Sequence, residues 1–182
     1  SLGWWNLIFF EVKDLKNINI KKRISKEFFE YGSPQWVSGI SLFSGLKDNF
    51  YCLARHKDKW ILENYQNLSF VRKINLPYTI LSNLKSYSSN LILKASSPIC
   101  EEKLIELEVK SFSGIQIKQN QINSLETISQ AESIWFEGSH KRKTHAFIYK
   151  PVSSNIHKLP LMVKAHSGPT DYFKGSLNPE IQ

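Results

Sequence analysis

Cysteine is scarce in this chain. Cys52 and Cys100 are the only two in 182 residues, far short of a disulfide framework. Both lie in apolar runs, Phe50-Tyr51-Cys52-Leu53 and Pro98-Ile99-Cys100, where a free cysteine is usually a small buried hydrophobe. The Cys52-x-x-x-His56 spacing has no second Cys/His pair to complete a tetrahedral site, so neither a metal nor a cofactor is expected. Long apolar runs are missing as well. Nothing approaches the ~18 consecutive apolar residues of a membrane-spanning helix. At Ser1-Leu2-Gly3-Trp4-Trp5 no basic stretch precedes an apolar one, so no secretory signal is read there. A reduced, cytoplasmic setting is the expectation. Helical periodicity is nearly absent too, with only Lys26 to Tyr31 and Ser124 to Gln130 looking helical.

What is present is a core-forming composition: 41% hydrophobic and 13% aromatic residues at a mean hydropathy of -0.32, which excludes wholesale disorder. Acidic residues are outnumbered, 16 against 24 basic ones, for a net charge of +8. Such a balance suits either a nucleic-acid footprint or a lysine-rich solvated surface. The basic residues are spread along the chain, with clusters only at Lys21-Lys22-Arg23 and His140-Lys141-Arg142-Lys143, and this favours the solvated surface.

Strand periodicity fills most of the chain. Trp5 to Val12 and Ile18 to Lys21 read as a first pair of strands. Val37 to Phe43, Phe50 to Ala54, Lys59 to Glu63 and Leu68 to Ile74 form a set of four. Thr79 to Leu84, Asn90 to Ala95, Lys103 to Val109 and Gly114 to Lys118 form a second set. Turn-forming clusters separate them at 45–49, 56–58 and 86–90. The runs starting at Leu7, Trp60 and Leu104 resemble one another, and each is followed by a turn and another strand. A four-strand unit recurring at roughly 40–50 residues marks β-propeller blades, although a β-sandwich gives a similar pattern. On the propeller reading residues 1–24 are the outer half of a blade, with full blades at about 37–75 and 79–118. Trp4, Trp5, Trp36 and Trp60 then serve either as core between blades or as the lining of a peptide channel.

The pattern changes after about residue 120. Glu132 to Glu137 and Thr144 to Tyr149 read as strands. Leu161 to Ala165 is mostly apolar, as expected for a strand covered on both faces. It runs into His166-Ser167-Gly168-Pro169-Thr170. A small-residue loop after such a strand can bring a backbone N–H close to a tetrahedral oxyanion, as in α/β-hydrolases. A simple Gly-Pro turn accounts for it equally well.

These segments together carry a family resemblance. Gly32-Ser33-Pro34-Gln35-Trp36-Val37, Asn75-Leu76-Pro77-Tyr78-Thr79, Leu161 to Thr170 and Leu177-Asn178-Pro179-Glu180-Ile181-Gln182 resemble the prolyl oligopeptidase family of serine peptidases, most nearly its bacterial acylaminoacyl-peptidase or dipeptidyl-aminopeptidase-like branch. The resemblance implies a mainly β chain, with the last two and a half blades of a propeller over 1–128 and the truncated start of an α/β-hydrolase domain over 129–182. It implies that Gly168 matches the second glycine of the oxyanion-hole loop, that Ser167 stands where the first glycine is usual, and that His166 and Pro169 position the loop. If the Ser167 position required a positive φ, serine would be strained there.

No Gly-x-Ser-x-Gly occurs in the sequence, so the catalytic Ser, Asp and His are expected beyond Gln182 and this chain is expected to be inactive. His56, His140, His145 and His157 are read as surface or turn residues. The implied partners are short peptides, with no nucleic acid and no membrane, and unpaired blade edges predict self-association. A non-enzymatic interaction or nucleic-acid-binding β module and an esterase of the same fold stand as alternatives.

Overall fold

Alternating runs broken by two-residue turns produce an antiparallel architecture. The computed structural model describes residues 5–14, 16–24, 28–34, 36–109, 114–116, 128–152, 159–168 and 172–182. Among them β1 (Leu7–Asp14) and β2 (Asn17–Ile24) form a hairpin. β3 (Phe29–Glu30) and β4 (Phe43–Leu46) both pair with β5 (Asn49–His56), which continues through β6 (Lys59–Gln66) to β7 (Ser69–Ile74). A second four-stranded meander runs β8 (Ile80–Tyr87), β9 (Asn90–Ser97), β10 (Cys100–Glu108), β11 (Gly114–Gln116). A last hairpin joins β12 (Ala131–Glu137) to β13 (Lys143–Tyr149). The two meanders are the blade-like units expected from the repeat. The similar runs at β1, β6 and β10 each pair antiparallel with the strand that follows.

The blades meet along their inner strands. Leu84 donates its backbone N–H to Ser41 O at 2.8 Å, and Ser41 Oγ donates to Leu84 O at 2.7 Å. Between the sheets Leu53, Leu62, Leu84, Leu91, Leu93 and Leu107 are fully buried. Each contributes roughly 1.5–3 kcal/mol by leaving water. The opposite face of the first blade packs on the β1–β2 hairpin through Ile24, Tyr31, Cys52, Ala54 and Tyr65, with Phe9 edge-on to Phe50 at 4.9 Å. Tyr51 to Ala54 are therefore all buried, because alternate residues enter different cores. Cys52 sits in the smaller core, outside any disulfide, and Cys100 is half-buried.

Three expected elements differ. Of the helix expected over 26–31, the described residues 28–31 are not helical: Phe28 turns at φ 63, and Phe29 and Glu30 pair with β5, so cross-strand pairing overrides local propensity. The expected strand from Val37 to Phe43 starts only at Phe43. Before it, Val37 N–H closes a turn on Pro34 O at 3.1 Å and Gly39 takes φ +77. Leu161 to Ala165 is not a strand. Leu161, Met162 and Val163 are 84%, 94% and 80% exposed, and no described strand lies beside them to complete a ladder. The helical expectation over 124–130 falls largely outside the described residues.

The hairpin turns carry unequal strain. In the β6–β7 turn both Asn67 (φ 47) and Leu68 (φ 59) are left-handed, the type I′ arrangement that favours Asn-Gly. A γ-branched side chain is disfavoured there. Leu68→Gly is expected to raise stability by about 0.5–1 kcal/mol, net of some lost burial. An unchanged or lowered urea midpoint would refute this.

Candidate functional site

Thr79 joins the parts of the structure that converge near the C-terminal segment. Its carbonyl accepts from Trp60 N–H at 2.8 Å, at the start of β6, and its own N–H donates to Ser96 O at 3.0 Å, at the end of β9. Its hydroxyl donates to Gly175 O at 3.5 Å. Leu177 N–H donates to Ser97 O at 2.7 Å, and the Arg55 guanidinium lies 3.8 Å over the Tyr172 ring. Residues 172–182 are thus laid across the ends of both blades. Gly175 is needed for this close approach, because a Cβ there would lie 2.9 Å from Phe147 Cζ on β13. Ser129 holds the far end, its N–H donating to Gln182 Oε1 and its carbonyl accepting from Gln182 Nε2, each at 2.8 Å.

Beside this seam the β5–β6 turn and the 75–79 linker line a half-open cavity of about 640 Å³. Trp60, Leu76 and Tyr78 contribute its apolar surface, and Lys57, Lys59 and Lys73 line it as well. Trp60 belongs to the main core, and its buried indole N–H has no acceptor among the described residues. Trp5 and Trp36 are 50% and 63% exposed, so they are not inter-blade core here; Trp4 lies outside the described residues.

The expected oxyanion loop is exposed. His166 Nδ1 lies 3.3 Å from Ser167 O, and its ring meets Phe173 edge-on at 6.1 Å. Gly168 takes φ +74, whereas Ser167 is not among the positive-φ residues. The left-handed conformation therefore falls on the glycine, and serine at 167 incurs no such strain. Pro169 lies outside the described residues.

The other histidines are less isolated than the sequence suggests. His145 Nε2 is 2.8 Å from Ser133 Oγ across the β12–β13 hairpin, between Trp135 and Phe147. Burial lowers its pKa; the Asp58 carboxylate opposes that shift and the Arg55 guanidinium adds to it. His56 stacks on Phe29 at 4.5 Å. His140 is an exposed turn residue at φ 59, and His157 lies outside the described residues. Among the described residues no three His, Cys, Asp or Glu side chains gather as metal ligands would.

Sequence reasoning missed one further cluster. Glu63 is only 2% exposed, and its Oε2 accepts from Tyr31 OH at 3.0 Å and from Tyr65 OH at 2.7 Å. The Glu63-x-Tyr65 alternation put two of the three on one strand face. Nothing local pointed to Tyr31, 32 positions away.

No protein-family profile matches the chain. Over 170 residues it is 32% identical to dipeptidyl-peptidase 5 of Schizosaccharomyces pombe, a match covering 88% of this chain and 24% of that relative. Its fold matches a Mycobacterium tuberculosis puromycin-hydrolysing peptidase with a TM-score of 0.68 at 16% identity, over 81% of this chain and 23% of the other. A puromycin hydrolase gives the same TM-score at 19% identity, over 82% and 22%. This propeller-like β chain spans about a quarter of its relatives' length, and over that span it is similar to peptidases of the prolyl oligopeptidase family.

Proposed function

We propose that this chain is the section of a serine peptidase that carries the end of the propeller over 1–128 and the approach to an α/β-hydrolase domain over 129–182. The full-length protein then hydrolyses short peptides in the cytoplasm through an acyl-enzyme. A serine supplied by the rest of the protein attacks the scissile carbonyl while a histidine takes its proton. The Gly168 N–H donates to the oxyanion, with His166, Ser167 and Pro169 shaping the loop. The leaving amine takes the proton, and water then releases the acyl group. The 182-residue chain by itself holds no nucleophile elbow and is inactive. The carrying observation is the 32% identity to a dipeptidyl-peptidase, sustained over 170 residues.

Chromogenic aminoacyl and acylaminoacyl substrates test this on two proteins, this chain and one extended by roughly 200 residues, the size of a hydrolase domain. Activity is expected only in the extended protein and should vanish with a serine-directed inhibitor. A folded, inert extended protein would overturn the reading. The proposal excludes nucleic-acid and membrane partners. For the 182-residue chain it includes self-association through unpaired edges and through the exposed Leu161-Met162-Val163 run. Light scattering that shows a clean monomer at high concentration would rule out that association.

A further inference from the structure

We infer that the cavity between the β5–β6 turn and the 75–79 linker binds the C-terminal end of a short peptide, taking its last side chain on the apolar surface and its free carboxylate among the lysines. The inference rests on the peptidase reading and names a substrate feature for it. A volume of about 640 Å³ falls in the range of small-ligand sites, which run to roughly 300–1,000 Å³. Leu76 and Tyr78, with the edge of Trp60, give it a small apolar patch against which a terminal side chain can rest. Lys57, Lys59 and Lys73 are exposed, and none forms an ion pair with a described residue. Asp58 is the one acid among the lining residues, so the cavity carries an excess of positive charge. An ammonium cluster beside an apolar surface fits an anion attached to an apolar group, which is what a C-terminal apolar residue offers. The site also adjoins the segment that follows the 166–168 loop, because Thr79, which borders the cavity, bonds Gly175.

Calorimetric titration of the 182-residue chain at low salt tests this with Ala-Ala-Phe, its C-terminal amide, and Ala-Glu-Phe amide. The free acid is expected to bind at least about tenfold more tightly than either amide. That advantage should disappear in a Lys59→Gln, Lys73→Gln double variant, whose exposed positions leave the fold intact. Equal binding of acid and amide, or no binding of either, overturns the inference. So does Ala-Glu-Phe amide matching the acid, which would assign the cavity to an acidic side chain of a polypeptide. Because this is a binding measurement, it fails separately from the activity test. An active extended protein with a non-binding cavity defeats only this inference, and a binding cavity with an inert extended protein defeats only the peptidase reading.

Discussion

Replacing Tyr31 and Tyr65 together by phenylalanine is expected to cost about 3–5 kcal/mol, the range for breaking a buried charge interaction. Both phenols donate to the same oxygen of Glu63, which is buried in the smaller core beside Cys52 and Ala54. Phenylalanine keeps each ring and removes only the hydroxyl, so the loss isolates the hydrogen bonds from the packing. Either single change should cost about 1–2 kcal/mol, because the remaining phenol still donates. The double change should exceed the sum of the two, since the carboxylate then loses both phenol donors in an apolar surround. Glu63→Gln, which keeps an acceptor without the charge, should cost less than the double variant.

Burial raises the pKa of both tyrosines far above the ordinary phenol value, and the neighbouring Glu63 carboxylate adds to it. A raised folded-state pKa gives stability that is complete below the unfolded value of about 10 and is lost as pH rises beyond it. Urea denaturation of the unsubstituted chain should therefore show a loss above pH ~10 that is shallower in the double variant, where, of the described tyrosines, only Tyr51 and Tyr149 keep a pKa raised by burial. A double-variant cost below about 1 kcal/mol would mean that the carboxylate does not depend on these donors.

This cluster shows where the sequence was readable and where it was not. Strands from β5 to β10 were legible because their alternation and turn residues are local, and the two blades followed from repetition. Tyr31 was not, since it lies where local pattern favours a helix and is fixed only by the pairing of Phe29 and Glu30 with β5. The strand expected from Val37 failed for a similar reason. Its composition suits a strand, but Pro34 and Gly39 set turns that delay pairing until Phe43. The cavity was illegible because a turn and a linker about twenty residues apart build it, and neither is distinctive alone. The 166–168 loop was legible as a motif, yet its apolar approach at 161–165 is exposed because a both-face-buried strand exists only with neighbours.

For that loop, Gly168→Val in the extended protein is expected to lower kcat by about 10²–10³ with KM little changed, the signature of losing one oxyanion donor. The cause would be backbone conformation and not collision. A Cβ on Gly168 meets nothing within 4 Å, but φ +74 is a region that β-branched residues avoid. Valine would pull the peptide toward negative φ and turn the N–H away from the developing charge. Ser167→Gly is the matched control. Ser167 is not at positive φ, so its replacement should leave kcat nearly unchanged even though it restores the glycine that the resemblance implies there. Misfolding can be separated from the catalytic effect in the 182-residue chain, where Gly168 is exposed and Gly168→Val should leave the melting temperature close to that of the unsubstituted chain. A valine variant with undiminished kcat would overturn the proposed oxyanion role of Gly168. A variant that lost activity through KM alone would make the loop a binding element instead.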